Sequence, residues 1–290
     1  MMDINYELYK VFFHVAATLS FSEASKQLFI SQSAVSQSIK ALEKKLDQTL
    51  FIRSTKKVQL TPEGEILLRH IEPAMNLIKR GETQIMEASN SGGQIRIGAS
   101  DTICRYFLVP YLEKFHKAFP HIHIKVTNAT SIGCVDLLET GQVDIIVTNF
   151  PNSHLRNLSS VKKIRNFKDV FIASKDFEEL KDKRLTFHEL LEYPLLMLSK
   201  QSTTSEFLHN LFQQHQLDLV PEIELSSNDL LIDLARIGLG IAFIPDYCLK
   251  YTKDLFIVET EEQLPERELV LAYNEHIPMT KAIEAFLKYF

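Results

Sequence analysis

A predicted helix that begins after Ser31 carries small hydroxyl and amide side chains of the kind that recognise nucleic acid on one face. At about 100° per residue, Val35, Ile39 and Leu42 share the opposite face, which is therefore predicted to be buried. Ser and Gln can hydrogen-bond base edges or phosphate oxygens, and Lys attracts the polyanion. An amphipathic surface helix with a solvated polar face is the alternative interpretation. The residues predicted to contact DNA here are Ser31, Gln32, Ser33, Ser36, Gln37 and Lys40.

Two predicted helices upstream of Ser31 supply the core against which the apolar face packs. Helical spacing of apolar residues predicts a first helix over about 5–19. Ser20 and Glu23 form a capping-box pattern for a second helix over 21–28. A tight turn follows, and Ser31 is placed to cap the third helix. Two short helices joined by such a turn are typical of the helix-turn-helix, which sets its second helix in the major groove.

Two short β-prone segments follow, over 50–52 and 58–60, with basic residues between them. The pattern predicts a two-stranded wing with a basic tip, which suits phosphate or minor-groove contact. Solvated basic turns are common, but the position directly after a helix-turn-helix favours DNA. The wing residues predicted to contact DNA are Arg53, Lys56 and Lys57.

The run from Ala24 to Arg53, ASKQLFISQSAVSQSIKALEKKLDQTLFIR, followed by LTPEG from Leu60, resembles the DNA-binding domain of LysR-type transcriptional regulators. It departs at Asp47, where the family usually has a glycine ending the recognition helix, and at Ser33, where proline is frequent. The resemblance implies a sequence-specific transcriptional regulator that binds an interrupted palindromic operator in double-stranded DNA. It also implies a homodimer or homotetramer that contacts RNA polymerase.

A long helix is predicted from Thr61, with a capping hydroxyl followed by a proline in the first turn. Apolar residues then recur in alternating steps of four and three, which is the heptad spacing that packs one helix against a partner helix. A helix that packs only on its own domain is the alternative, whereas the family resemblance favours dimerisation. The predicted dimerisation residues are Leu67, Ile71, Ala74, Ile78 and Ile85.

Beyond this helix the sequence alternates short strands with helices, which predicts an α/β domain. A Ser/Gly-rich stretch marks the change and is a predicted hinge. The predicted divisions are a winged helix-turn-helix domain over 1–60, a linker and dimerisation helix over 61–89, a hinge over 90–93 and an effector-binding domain over 94–290.

Three stretches of this second part are similar to the effector domain of the same family: LVP from Leu108, LLETGQVDI from Leu137 and GLGIAFIP from Gly238. The similarity implies a two-lobed, periplasmic-binding-protein-like module. The fold class is therefore multidomain, with an all-α winged helix-turn-helix domain, a long linker helix and a two-lobed α/β domain. Lobe 1 is expected over about 94–164 and 267–290, and lobe 2 over about 165–266.

Hydroxyl side chains cluster in two loops that each lead from a predicted strand into a helix. Hydroxyls and free N–H groups at a helix N-terminus can hold an anion, although such residues are also ordinary caps. Asp101 can accept from an amino group, so an amino acid or a hydroxylated carboxylate fits as well as an inorganic oxyanion. Arg105 and Arg236 are candidate cations, with lobe packing or surface exposure as the favoured alternative. The predicted effector-binding residues are Ser100, Thr102, Thr148, Asn149, Gln201, Ser202 and Thr203.

The composition is consistent with a DNA-binding domain followed by an effector-binding domain. The length of 290 residues predicts about two domains, and 45% apolar with 24% charged residues is ordinary for a globular chain. The net charge is −5, yet residues 1–64 carry 8 Lys and Arg against 6 Asp and Glu, so cationic charge is concentrated around the recognition helix. No apolar run approaches the ~18 residues of a membrane span and no signal sequence is visible, so we expect a cytoplasmic protein without a membrane partner.

A cytoplasmic small-molecule-binding protein or enzyme with an N-terminal helical interaction module is the rival hypothesis. The sequence has no nucleophile elbow, no phosphate-binding glycine loop and no metal-ligand spacing. Cys104, Cys134 and Cys248 lie far apart and are predicted to be packing thiols. We therefore expect no catalytic residue, no metal and no cofactor. The expected ligand is a small-molecule effector, either a carboxylate, an amino acid or another oxyanion.

Overall fold

The computed structural model describes residues 4–53, 57–88, 93–157, 160–252, 254–275 and 277–290. The chain divides into two compact units, one formed by the residues up to the end of the long helix together with residues 140–142, and one formed by the rest of the chain. Lys56 and residues 90–92 of the predicted hinge lie outside the described residues. No described helix combines the length and the apolar character that crossing a bilayer requires.

The N-terminal unit is a helical core with a small hairpin. Its centre is formed by Phe12, Ala24, Val35, Ile39 and Leu42, all fully buried, so the predicted apolar face of the third helix does pack inward. The helices are α1 (Tyr6–Thr18), α2 (Phe21–Leu28), α3 (Gln32–Leu46) and α4 (Pro62–Ala88), and the antiparallel wing strands are β1 (Phe51–Arg53) and β2 (Val58–Leu60).

Side-chain caps fix where these helices begin. Ser20 accepts from the Glu23 N–H at 3.2 Å, and Ser31 accepts from the Ala34 N–H at 3.2 Å. The capping box predicted at Ser20 is only half formed, since the Ser20 N–H donates to the Thr18 hydroxyl at 3.3 Å. The Glu23 carboxylate instead pairs with Lys26 at 3.3 Å.

Asp47 ends α3 in the left-handed conformation, with φ 51° and ψ 38°. Glycine adopts this conformation freely, whereas Asp is one of the few other residues that tolerate it. Although Asp47 departs from the family pattern, α3 therefore still ends in a left-handed residue.

A glycine is required at Gly64, where a Cβ atom would lie 2.3 Å from the carbonyl oxygen of Leu50. The first turn of α4 thus packs directly on the chain that leads into the wing.

The C-terminal unit is built on two mixed sheets. Its strands are β3 (Gln94–Ala99), β4 (His123–Asn128), β5 (Ile145–Phe150), β6 (Ser160–Phe167), β7 (Asp169–Ala173), β8 (Arg184–Leu185), β9 (Leu195–Leu198), β10 (Ile223–Leu225), β11 (Ile241–Pro245), β12 (Phe256–Thr260) and β13 (Arg267–Tyr273). Its helices are α5 (Asp101–Ile103), α6 (Val109–Ala118), α7 (Ser131–Glu139), α8 (Phe187–Leu190), α9 (Thr203–Gln214), α10 (Asn228–Arg236) and α11 (Lys281–Leu287), and a π-helical segment, Cys104–Leu108, joins α5 to α6.

Each sheet forms the centre of one lobe. In lobe 1 the strand order is β4-β3-β5-β13-β6, and in lobe 2 it is β10-β9-β11-β7-β12-β8. Strands β4, β3 and β5 run parallel, as do β10, β9 and β11. The carboxyl ends of each parallel set therefore lie along one edge of its sheet, where ligands gather in α/β folds.

The chain crosses between the lobes twice, from β6 to β7 and from β12 to β13. Strand β6 pairs with β13 as far as Phe167, which lies opposite Arg267. Lobe 1 therefore continues to residue 167, three residues beyond the predicted 164, because the pairing partner of β6 extends its ladder to that point. The chain returns to lobe 1 at Arg267, the first residue of β13.

Candidate functional site

The polar face of α3 is open to solvent. Ser31, Gln32, Ser33, Gln37 and Lys40 are exposed, and Ser36 is half-buried. The Ser31 hydroxyl caps the helix and lies 2.9 Å from the Ser33 hydroxyl, so it also has a local structural role. These side chains lie on the first turns of α3, which is the part of a recognition helix that reaches base edges in the major groove.

Arg53 ties the wing to this helix. Its guanidinium donates to the Ser36 hydroxyl at 3.2 Å and to the Glu43 carboxylate at 3.3 Å, and it lies 4.5 Å from the centre of the Phe21 ring. The other Glu43 oxygen accepts from the Leu50 N–H at 2.9 Å. Arg53 therefore has a structural role that the wing pattern did not predict. Lys57 follows on the described part of the wing and is exposed.

The first half of α4 packs on the N-terminal core. Leu67 and Ile71 are half-buried against that core, which the heptad pattern did not predict. Farther along, Ile78 is 58% exposed and Ile85 is 76% exposed. Leu77 and Met86 are exposed there too, so most of the apolar surface left available for a partner helix lies in the second half of α4. Ile66, at 52%, is exposed in the first half.

A cavity of about 400 Å³ lies between the two lobes of the C-terminal unit. Five of the predicted effector residues line it: Ser100, Thr102, Asn149, Ser202 and Thr203. Asp101, which the sequence analysis considers as an acceptor for an amino group, also lines it. Residues that were not predicted to bind an effector complete the lining, chiefly Asn128, Ser131, Thr204, Asn228 and Tyr247.

Two predicted residues do not line this cavity. Thr148 is fully buried and donates to the Ser131 carbonyl at 3.2 Å, because consecutive residues of β5 face opposite sides and Asn149 takes the cavity side. Gln201 precedes the cap of α9 and is exposed to solvent. The candidate cations also lie elsewhere, with Arg105 at 3.6 Å from Asp229 and Arg236 at 2.7 Å from Asp254.

Four helical segments begin at the cavity, two from each lobe. Their caps are Ser100 before α5, Thr130 before α7, Ser202 before α9 and Ser227 before α10, each accepting an N–H from three residues farther on. The remaining N–H groups of each first turn have no partner within their helix, and the helix dipole adds partial positive charge. The lining therefore favours an anionic group at several points.

The threonine hydroxyls of the cavity are oriented by their neighbours. Arg267 is 1% exposed and donates to the Thr203 hydroxyl at 3.2 Å and to the Thr204 hydroxyl at 3.1 Å. The Asn228 amide donates to the Thr102 hydroxyl at 2.9 Å. Because guanidinium and amide N–H groups only donate, these hydroxyl oxygens act as acceptors, and their hydrogens are available to another acceptor.

Three residues of the lining also carry buried polar atoms without a partner. The Oδ1 atoms of Asn149 and Asn228 and the Tyr247 hydroxyl have no hydrogen-bond partner among the described residues. Because each of these atoms has almost no accessible surface, none of them is open to a ligand in the cavity. Burial raises the pKa of Tyr247 well above its usual range, which keeps the phenol neutral and able to donate.

Arg267 is itself held by a buried carboxylate. It donates to Asp169 at 2.7 Å, and its guanidinium lies 4.9 Å from the centre of the Phe207 ring. Burial raises the pKa of Asp169, and the adjacent guanidinium partly offsets this effect. The pair sits where both interlobe crossings meet, at the first residues of β7 and β13.

The cysteines do not form a reactive centre. Burial raises the pKa of Cys104 to about 11 and that of Cys134 to about 12, and it also raises the pKa of Cys248. Reactive thiols instead have a lowered pKa, because the thiolate is the nucleophile. Within the described part of the chain, no group of three His, Cys, Asp or Glu side chains could hold a metal ion.

Comparisons with known proteins match both units. Residues 6–65 match the family described as "Bacterial regulatory helix-turn-helix protein, lysR family", and residues 88–290 match "LysR substrate binding domain". A "Probable RuBisCO transcriptional regulator" of Phaeodactylum tricornutum is 28% identical over 99% of this chain and 96% of that protein. The "HTH-type transcriptional activator CmpR" of Synechocystis is 25% identical over 100% and 95%.

Solved structures share the fold. Full-length CbnR complexed with its target DNA is 16% identical, with a TM-score of 0.67 over 99% of this chain and 98% of that one. The Synechocystis CcmR regulatory domain in complex with 2-PG is 20% identical, with a TM-score of 0.62 over 68% of this chain and 95% of that one.

Proposed function

The chain belongs to the LysR family of bacterial regulatory helix-turn-helix proteins, and we propose that a small carboxylate, amino acid or other oxyanion bound between its two lobes controls how it binds operator DNA. Membership makes it a sequence-specific, metabolite-controlled transcriptional regulator whose partners are duplex DNA, an effector and other copies of itself. The observation that supports this class of effector is the interlobe cavity, where four helical segments begin. The N-terminus of each segment is capped by a serine or threonine hydroxyl.

For the DNA-binding unit, we propose that α3 reads bases and the wing grips phosphate. The exposed Gln37 is the side chain best suited to a bidentate base contact, and Lys40 and Lys57 supply attraction to the backbone. Two copies held together through α4 would present two such helices to an interrupted palindrome.

The salt dependence and the sequence preference of DNA binding together test whether α3 contacts bases and whether the basic residues contact phosphate. The full-length protein is titrated by fluorescence anisotropy onto the duplex it selects from a random library and onto a scrambled duplex, over a range of salt concentrations. Gln37→Ala should lower the discrimination between the two duplexes by about 1–3 kcal/mol, because the base contact is lost. Lys40→Ala should weaken both complexes and reduce the log–log salt slope by about one, because a phosphate contact is lost.

Unchanged discrimination in Gln37→Ala would remove that side chain from the set that reads bases. No salt-dependent binding of the full-length protein to any duplex, even at low salt, would contradict the DNA-binding role itself.

The named relatives are transcriptional regulators, and on this basis we propose that the chain has no catalytic activity. We further propose that it acts in the cytoplasm, because operator DNA and RNA polymerase are found there in bacteria. Assembly beyond the dimer, to a homotetramer, and contact with RNA polymerase are proposed on family membership alone.

A further inference from the structure

Phe29 occupies the turn between α2 and α3 in a backbone conformation that a bulky side chain disfavours. It ends α2 in the left-handed region, with φ 55° and ψ 37°. Its N–H donates to the Lys26 carbonyl at 3.2 Å, and the N–H of Ile30 donates to the Ser25 carbonyl at 3.1 Å. These two hydrogen bonds form a Schellman motif, in which glycine is the usual left-handed residue. A large residue at this position costs free energy, because its Cβ atom lies close to the backbone.

The side chain of Phe29 is almost entirely exposed in the free chain, so little packing offsets this cost. Its exposure of 94% is higher than that of any other large apolar side chain among the described residues. By contrast, Phe21 at the start of α2 is 9% exposed, and its ring lies 6.0 Å from that of Phe51. An aromatic ring that is both exposed and on a strained backbone indicates a contact that is made only with a partner.

The position of the turn indicates which partner this is. Phe29 lies two residues before Ser31, the cap of α3, and three before Gln32, its first residue. The first residues of a recognition helix enter the major groove, so the turn that precedes them lies at the edge of the same groove. The groove is about 12 Å wide and a helix with its side chains is about 10–12 Å across. The ring of Phe29 therefore meets the bases that border the helix.

Thymine offers an apolar group at this edge. Its C5-methyl group projects into the major groove, and phenylalanine is one of the side chains that contact it. The exposed side chains of α3 that we assign to base reading, such as Ser33 and Gln37, are polar and recognise hydrogen-bonding groups instead. A phenyl ring adds a contact of a different chemical kind to this set.

We propose that Phe29 is a specificity-determining residue whose ring packs on the C5-methyl group of one thymine in each half-site. This proposal rests on the proposed function, in which α3 reads bases. The two backbone hydrogen bonds of the turn fix the position of the ring relative to α3. The preferred thymine therefore lies at a fixed distance along the DNA from the base that Gln37 contacts.

Removal of single methyl groups tests the contact. Each thymine of the duplex that the full-length protein selects is replaced in turn by deoxyuridine, which lacks only this methyl group, and affinity is measured by fluorescence anisotropy. At one position of a half-site the replacement should weaken binding about 4-fold, as expected for one buried methyl group. Phe29→Ala should weaken binding of the selected duplex about 10- to 100-fold, and deoxyuridine at that position should then have no further effect.

Phe29→Asn separates the DNA contact from folding. Asn tolerates the left-handed conformation better than Phe, so this variant should slow amide exchange in α2 and α3 while it weakens DNA binding as much as Phe29→Ala does. Leu19→Asn is the matched control, because Leu19 also has a positive φ, of 47°, and is 47% exposed at the end of α1. Relief of the same strain there should leave the 4-fold effect of deoxyuridine intact.

The proposal is overturned if no thymine shows a methyl effect that depends on Phe29. It is also overturned if Phe29→Ala weakens the selected and the scrambled duplex equally, since the ring would then contact only the backbone. If Gln37→Ala still lowers discrimination in either case, base reading by α3 stands and only the role of Phe29 fails. A full-length protein that does not distinguish the two duplexes would contradict the proposed function and this proposal with it.

Discussion

Glu43 shows how one side chain joins the helix that reads DNA to the wing beside it. One carboxylate oxygen accepts from the N–H groups of Leu50 and Phe51 at 2.9 and 3.3 Å, and the other accepts from Arg53 at 3.3 Å. Leu50 and Phe51 are almost fully buried, so water cannot replace this acceptor easily. The position of β1 relative to α3 therefore depends on Glu43.

Glu43→Ala is predicted to lower the free energy of unfolding of the N-terminal unit by about 1–3 kcal/mol, because it leaves buried N–H groups unpaired. Urea denaturation followed by circular dichroism measures the change. Glu65→Ala, which removes an exposed carboxylate from the first turn of α4, is the matched control and should have a much smaller effect. Equal effects of the two substitutions would contradict the role assigned to Glu43.

Residues whose role follows from local rules could be predicted from the sequence. Ser31, Ser100 and Ser202 were identified because a capping hydroxyl bonds the N–H three residues on. Ser227 carries the same signal before α10 and could have been found in the same way. The role of Arg267 could not be predicted from local rules. Its hydrogen bonds to Thr203 and Thr204 span more than sixty positions of the chain and depend on the order of strands in the sheets.

At the scale of elements, the two crossings between the lobes meet at one buried ion pair. Asp169 begins β7, Arg267 begins β13, and Arg267 also reaches the first turn of α9. The strands β9 and β11 could be predicted because they are apolar runs in the parallel part of their sheet, and β3 because Ile95 and Ile97 alternate with polar residues. The local sequence pattern does not predict β6, which carries three basic residues, and the family resemblance implies crossover strands only near Arg165 and Glu266. The place of β6 and β13 in lobe 1 follows from pairing distant in sequence.

Arg267→Met is predicted to destabilise the C-terminal unit by about 3–5 kcal/mol, because it leaves the buried Asp169 carboxylate without its cation. Denaturant midpoints measure the loss. The double variant with Asp169→Asn should recover much of it, since no buried charge then remains uncompensated. A single variant as stable as the parent protein would contradict this account.

The pH dependence of Arg267→Met has a definite sign. Without the guanidinium, burial alone acts on Asp169 and raises its pKa further in the folded state. The folded variant then binds a proton more readily than the unfolded chain, so its stability falls as the pH rises through the raised pKa. The deficit relative to the parent protein should accordingly shrink as the pH is lowered from neutral toward the ordinary range of an aspartate.

At the scale of the whole molecule, regulation requires copies of the chain to act together. Most of the exposed apolar side chains of α4 lie in its second half, and Ile85 is the most exposed of them at 76%. Because α4 packs on the N-terminal core through Leu67 and Ile71, a partner held along its far half would fix the spacing of two recognition helices.

Ile85→Glu is predicted to weaken dimerisation about 10- to 100-fold, since burial of an isoleucine contributes about 1.5–3 kcal/mol and the new carboxylate must be desolvated. Light scattering after size-exclusion chromatography measures the mass over a dilution series. Glu82→Gln, an exposed position one turn earlier, is the control and should leave the mass unchanged. A variant that keeps the parent mass at every dilution would place the dimer contact elsewhere.

The central claim is that a ligand in the interlobe cavity controls DNA binding, and a linkage experiment tests it most directly. Operator affinity of the full-length protein is measured with and without a saturating cavity ligand, and ligand affinity is measured with and without saturating operator. Both affinities are expected to change by the same factor, within the range of about 5- to 150-fold usual for allosteric coupling, and Thr203→Val is expected to abolish the ligand effect on DNA binding. A ligand that binds in the cavity and leaves operator affinity unchanged would contradict the claim.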